Sequence, residues 1–338
     1  MSYTKHDDNI LQSLVTRSRL SWYWLALLVA LALLLVLVLA AFLDGSLDRL
    51  SDWEFWRQYL GVPVIIAYIF LIYPYMLRLG RNAIDAYCRL ISHDSTADVD
   101  TIIRGPIRHW EWTSITAGII IWILLQSPWQ WQWGVDALWL YIYILISFSM
   151  LFGLLAWLIY VSIVESRNLN RLSRQKLDLD IFNTSALFPV ARVSLSTSFA
   201  FLGGISLSLL FQTVESLQTW SNITIYTVLV VATLFIFFIS IWSTHSTMAM
   251  TKKREMFLVR DELEKSIRNL REAYGNDGPS RPDNLYLAVA AWGTYERRVR
   301  EAREWPFNAN ILRRLAASTL IPALVYLLKV FLGIRLFG

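Results

Sequence analysis

The sequence predicts an all-α fold: a polytopic transmembrane helical bundle of about seven spans, N-terminus cytoplasmic and C-terminus extracytoplasmic, with a cytoplasmic helical hairpin. Three observations carry this. Of the 338 residues, 56% are hydrophobic and only 17% are charged, against roughly 25% charged in an ordinary soluble domain. The apolar residues come in long uncharged runs, and about 20 such residues cross a hydrocarbon core of roughly 30 Å. Lysine and arginine also alternate between successive connections, as the positive-inside rule requires.

The elements follow in order. Residues 1–21 form a cytoplasmic N-terminal segment. Residues 22–250 form the membrane domain with spans one to six. The first span is Trp22 to Leu43, uncharged throughout. Arg17 and Arg19 precede it, and Ala40-Ala41 has the look of a cleavage site. Signal h-regions run only about 7–15 residues, so the run reads as an anchor. The second span, Tyr59 to Leu77, carries Pro63 and Pro74. The third and weakest is Trp112 to Gln126, closed by Pro128. The fourth is Ala137 to Val164, the fifth Val193 to Val214, the sixth Trp220 to Met250. The seventh, Leu315 to Ile334, lies within a C-terminal segment 315–338 and is interrupted by Lys329.

Counting basic residues in the connections fixes the orientation. One side collects 27 of the 31 lysines and arginines and the other 4. The longest connection, Thr251 to Arg314, contributes fourteen, and long loops translocate regardless of charge. Without it the score is still 13 against 4. Tryptophan agrees: Trp22, Trp24, Trp110 and Trp112 mark inner ends, while Trp53, Trp56 and Trp129 mark outer ones. Amphipathic indole rings favour headgroup depth.

Two spans are too long for the bilayer. The fourth has 28 residues and the sixth 31, about 42 and 46 Å at 1.5 Å per residue. Projection into the cytoplasm accommodates them. After Met250 the pattern stays helical, with Val259, Leu263, Ile267 and Leu270 on one face. Asp261/Lys265 and Glu264/Arg268 pair at i,i+4. Gly275 suits a helix stop, and Asp283 can open a second helix. Residues 251–314 therefore read as the cytoplasmic hairpin.

No chemical motif stands out. The chain has no P-loop, dinucleotide fingerprint, HExxH or GxSxG pattern. Its single cysteine, Cys88, excludes an intrachain disulfide and a Cys/His zinc cluster. The reading is a non-enzyme with no cofactor. The net charge of +5 belongs to topology, and nucleic acid is not an expected partner. The candidate pathway-lining residues are Ser194, Thr197, Gly204 and Ser208 of the fifth span. Ser243, Thr244, His245 and Thr247 at the inner end of the sixth join them. Small residues also let helices approach closely in lipid, so packing and a wetted pathway both remain open. Lys329 is the one candidate intramembrane charge, or a lysine snorkelling to the outer interface. Trp129-Gln130-Trp131-Gln132-Trp133 reads as an interfacial belt or an aromatic ligand site.

Two resemblances enter here. Glu304-Trp305-Pro306-Phe307, followed by an apolar helix with Ile321-Pro322, resembles the ending of some uncharacterised bacterial polytopic membrane proteins. That resemblance implies the bacterial inner (plasma) membrane. The layout is similar to the seven-helix ligand-gated channels of the insect chemoreceptor type, in architecture only. The tyrosine-containing signature of their last helix is not visible in Leu315 to Ile334. The expected function is an oligomeric ion channel or sensor-channel. The alternative is a non-catalytic scaffold or signalling protein docking a partner through the hairpin. Expected partners are the lipid bilayer, further copies of the chain and a cytoplasmic protein.

Overall fold

The computed structural model describes residues 10–91, 105–130, 137–173, 188–217, 219–275 and 283–302, with isolated positions beside them. Among the described residues the fold is all helix. The chain opens with α1 (Ile10–Ser18), a short amphipathic helix whose Leu11 and Gln12 are buried in the bundle. Ser21 then leads in extended backbone into α2 (Trp22–Leu43), apolar all round. The reversal after α2 uses Gly45 at a φ of +64°, a left-handed conformation that costs glycine little.

The central element is α3 (Trp53–Leu90), 38 residues long with Pro63 and Pro74 inside it. It packs against α2 and two later helices, α5 (Leu138–Ser173) and α6 (Phe188–Phe211). Its core face is written at helical spacing: Val62, Ile66, Ile69, Tyr73 and Met76 are all buried. The ring of Tyr73 lies 5.4 Å from Trp22 and 4.9 Å from Trp157, distances at which edge-on aromatic pairs attract.

α4 (Arg108–Gln126) lies along α5. Their approach is set by small residues: a Cβ built at Gly118 would stand 2.6 Å from Ala156 Cβ. Glu111, in the first turn of α4, is buried and accepts the Trp157 indole N–H at 3.2 Å. Asp44, just past α2, accepts the backbone N–H groups of Trp139 and Leu140 at 3.0 and 2.8 Å. It thereby satisfies donors that the first turn of α5 leaves without intrahelical partners.

The last large element is α8 (Trp220–Gly275), reached through α6 and the single turn α7 (Val214–Leu217). α8 runs unbroken for 56 residues, about 84 Å. α9 (Asp283–Glu301) packs back on it. Lys252 Nζ donates to the carbonyl of Ala302 at 2.8 Å. Glu296 takes Arg300 at 2.8 Å and Arg260 at 3.4 Å. Those two arginines hold its carboxyl below the ordinary carboxylate range, the Arg300 hydrogen bond most strongly. On the exposed face, Asp261 and Glu262 push the Lys265 ammonium up to about 12.

Among the described residues, five helical segments are long and apolar enough to cross a membrane: α2, α3, α5, α6 and Trp220–Phe238 of α8. By length and composition this is a polytopic integral membrane protein. Its outward surface agrees, because the apolar Leu35, Val231 and Phe235 lie more than half exposed. α4 opens with Arg108, His109 and Glu111 and is not among the five. Of the expected seventh span, Ala317, Leu320, Pro322 and Leu324 are described and helical. Lys329 and the Trp131–Trp133 loop lie outside the described residues.

Candidate functional site

Five helices, α3, α4, α5, α6 and α8, enclose a cavity of about 1300 Å³. Its polar end lies where α3 and α8 begin and α4 and α6 end. Along α3 the lining runs from Asp52 to Ile72, 20 residues or about 30 Å of helix. The other end is lined by Ile72, Leu155, Leu158, Ala200 and Phe201. Trp122, Phe148 and Phe152 form an aromatic wall at mid-depth, with Trp122 and Phe148 stacked at 5.9 Å and 9°.

The chemistry is graded along this depth. The rim carries Asp52, Glu54 and Arg57, followed by Gln58. The Arg57 side chain is 23% exposed and lies 3.7 Å from Glu54, which stands 86% exposed in solvent. A hydrogen-bonded ribbon descends one wall. Gln126 donates to Asn222 Oδ1 at 3.4 Å, Asn222 donates to the Ser216 carbonyl at 2.6 Å, and the Ser216 hydroxyl donates to Gln212 Oε1 at 2.6 Å. Gln212 also bonds the Tyr226 phenol, which meets the Ser208 hydroxyl at 2.7 Å. Four helical segments supply this ribbon, so it ties the cavity wall together across the bundle.

Deeper polar groups are committed to the protein itself. Tyr68 Oη donates to the Ala200 carbonyl at 2.9 Å, and Ser147 to the Ile144 carbonyl at 3.2 Å. Tyr143 differs. Its side chain is buried and lines the cavity beside Tyr59, with ring centroids 6.2 Å apart. Among the described residues its hydroxyl has no hydrogen-bond partner. A buried hydroxyl without a partner is costly, about 1–3 kcal/mol, and native proteins leave few of them.

The structure separates the residues that the sequence singled out. Gly204 and Ser208 line the cavity. Ser194 and Thr197 are buried two to three turns deeper and do not. Ser194 and the neighbouring Ser198 donate to carbonyls four residues back in α6, at 3.3 and 3.0 Å. Ser243, Thr244, His245 and Thr247 all sit on α8, well past Leu229, where that helix leaves the cavity. His245 is half-buried with its ring 6.1 Å from Trp242. The side chains of Ser243, Thr244 and Thr247 lie outside the described residues. Gln126, Gln212, Asn222, Tyr143 and Tyr226 were not singled out as site residues. Amides at the ends of apolar runs were the available signal.

Among the described residues no three His, Cys, Asp or Glu side chains stand together as a metal site. Comparisons with family models, curated proteins and solved structures each return no match. The site is therefore argued from its own geometry.

Proposed function

We propose that this chain is a seven-span membrane sensor. It takes a small molecule into the cavity from the extracytoplasmic side and relays occupancy along α8 to a cytoplasmic α8–α9 hairpin. One observation carries the reading. Asn222, Ile225, Tyr226 and Leu229 of α8 wall the cavity, and the same unbroken helix ends at Gly275, about 80 Å beyond Asn222. A ligand that shifts the Ser208–Tyr226 contact displaces the head of a long lever. Large apolar clefts with a few convergent polar groups are where ligands bind.

The positive-inside count supports an extracytoplasmic mouth and a cytoplasmic hairpin. The same reading puts the protein in the plasma membrane, working in oligomers of its own kind. Of the sensor-channel, the sensing half draws the support. The buried hydroxyls of Ser194 and Ser198 are bonded to their own helix, so they add nothing to the conducting half. A partner-docking role has an observation in its favour: Phe257, 19 residues past Phe238, is 74% exposed on α8.

Cysteine accessibility tests the reading in a Cys88→Ser background. Ser208→Cys should react with a membrane-impermeant thiol reagent applied from outside, and Ser194→Cys should not. Reaction of Ser208→Cys only from the cytoplasmic side, or not at all, would remove the outward-facing cavity and the sensor with it.

A further inference from the structure

We infer that the cavity holds a single-chain amphiphile: one hydrocarbon tail of ordinary membrane length bearing a small oxygen head. The head sits at the mouth and the tail reaches toward Ile72 and Leu158. This rests on the cavity being a ligand site and adds the class of ligand.

The first support is length. From Tyr59, level with the base of the polar mouth, the lining continues to Ile72, about 20 Å of helix. A hydrocarbon core of roughly 30 Å is two acyl chains deep, so one chain of about 15 Å fits that depth. A compact aromatic molecule spans only part of that length.

The second support is the polarity gradient. Below the mouth the wall is aliphatic and aromatic, and Tyr68, Ser147 and Ser208 are all committed to protein partners. A tail there displaces no hydrogen bond and leaves no polar group stranded. The third support is the head position. Arg57, on α3 at the polar end, has a side chain more covered than that of Glu54, and it lines the cavity with Gln58, Gln126 and Asn222. An oxygen head at that end draws on the Arg57 guanidinium. A fatty carboxylate and a fatty alcohol share that chemistry, and the Arg57→Gln variant separates them.

Tail length is the decisive variable. Each methylene buried from water improves binding by about fourfold. The bilayer gives the same gain, so chain length alone does not separate protein from lipid. A change in length preference caused by a substitution at the deep end does.

The test uses the full chain in lipid nanodiscs and a hexadecanoic acid probe with a diazirine at mid-chain. After irradiation, adducts are mapped by mass spectrometry. Adducts on Phe152, Leu155 or Phe201 are expected, suppressed at least tenfold by unlabelled hexadecanoate and not by hexanoate. Adducts on the lipid-facing Leu35 and Val231 should not respond. Ile69→Trp should weaken hexadecanoate competition about tenfold and spare decanoate. Leu158→Phe should do the same more mildly, and provides the readout if Ile69→Trp does not fold. Arg57→Gln should discriminate against the carboxylate if that is the head, and leave hexadecanol competing as well as before. Adducts confined to lipid-facing residues, or competition indifferent to chain length and to both deep-end variants, would overturn the inference. If Ser208→Cys is still labelled from outside in that case, the sensor reading survives and only the ligand class is lost. If Ser208→Cys is not labelled, both fall.

Discussion

Replacing Gly118 by alanine should force α4 off α5. The new methyl would lie 2.5 Å from the Phe152 carbonyl oxygen and 2.6 Å from Ala156 Cβ. Carbon atoms meet comfortably at about 3.5–4.0 Å, so the helices must part locally by roughly 1 Å. Neither obstacle can rotate away, since one is backbone and the other is fixed to it. Gly153, on the facing helix, leaves no slack, because its own Cβ would stand 3.1 Å from Ile115 Cγ2. Overpacking of this kind costs about 1–3 kcal/mol. Alanine recovers about 1 kcal/mol of helix propensity, leaving a net loss of up to about 2 kcal/mol. Gly293 in α9 is the matched control, because a Cβ there meets nothing within 4 Å. Gly293→Ala should therefore gain about 0.5–1 kcal/mol. Thermal unfolding of the purified protein in detergent, followed by tryptophan fluorescence, reads both. Trp122, buried and one turn from Gly118, reports the repacking directly. The two variants should differ by about 1–3 kcal/mol. A Gly118→Ala protein that gains as much stability as Gly293→Ala would refute the close approach of α4 and α5.

Two further outcomes follow from contacts outside the cavity. Asp44→Ala strips the cap from the N-terminus of α5 and should cost about 1 kcal/mol. Asp44→Asn keeps one acceptor and should lose less; equal stability of the alanine variant and the parent would remove the cap. Glu296 titrates below its ordinary 4.5 because Arg300 and Arg260 favour the carboxylate. A lowered folded value makes its contribution complete above the unfolded pKa, and that contribution disappears as pH falls through the folded one. The attachment of α9 to α8 should therefore hold at neutral pH and loosen below about 4.5, read as the distance between spin labels on the two helices. In Glu296→Gln the two labels should be farther apart at neutral pH and indifferent to acid. An unchanged distance in the parent well below that pH would count against the Arg260–Glu296–Arg300 tie.

Much of the helical layout was legible because hydropathy reports the bilayer directly. Trp22–Leu43 has the same limits in sequence and structure, its uncharged run ending at Asp44. Hydropathy does not report where helices end. The apolar run Tyr59 to Leu77 stops at Arg78, yet α3 continues from Trp53 to Leu90 through Arg57, Arg81, Asp85 and Arg89. Charge ends membrane compatibility, and it leaves backbone hydrogen bonding untouched. α5 and α8 overrun their apolar segments for the same reason, to Ser173 and Gly275. Pro63 and Pro74 also leave α3 intact, as neighbouring helices permit in membranes. α1 was illegible: nine residues with Arg17 at their end are held by burial of Leu11 and Gln12, and only tertiary contact shows it.

The cavity was harder to read, and the hydroxyls of α6 explain why. In a low-dielectric surrounding a serine or threonine satisfies itself on the carbonyl four residues back. Ser194, Ser198, Ser206 and Thr233 all do so. A stripe of small hydroxyl residues therefore looks the same in sequence whether it faces a ligand, another helix or nothing polar. Of that stripe Ser208 reaches another polar side chain, Tyr226, and among the described residues of α6 it is the hydroxyl that lines the cavity. Amides and phenols are more informative. They are too large to turn back on their own helix with one hydrogen bond and leave nothing over. Gln126 and Asn222 meet across 96 residues of sequence, so no local spacing announces them. An amide at the end of an apolar run must find its partner on another helix, and in this bundle those partners converge on the mouth of the cavity.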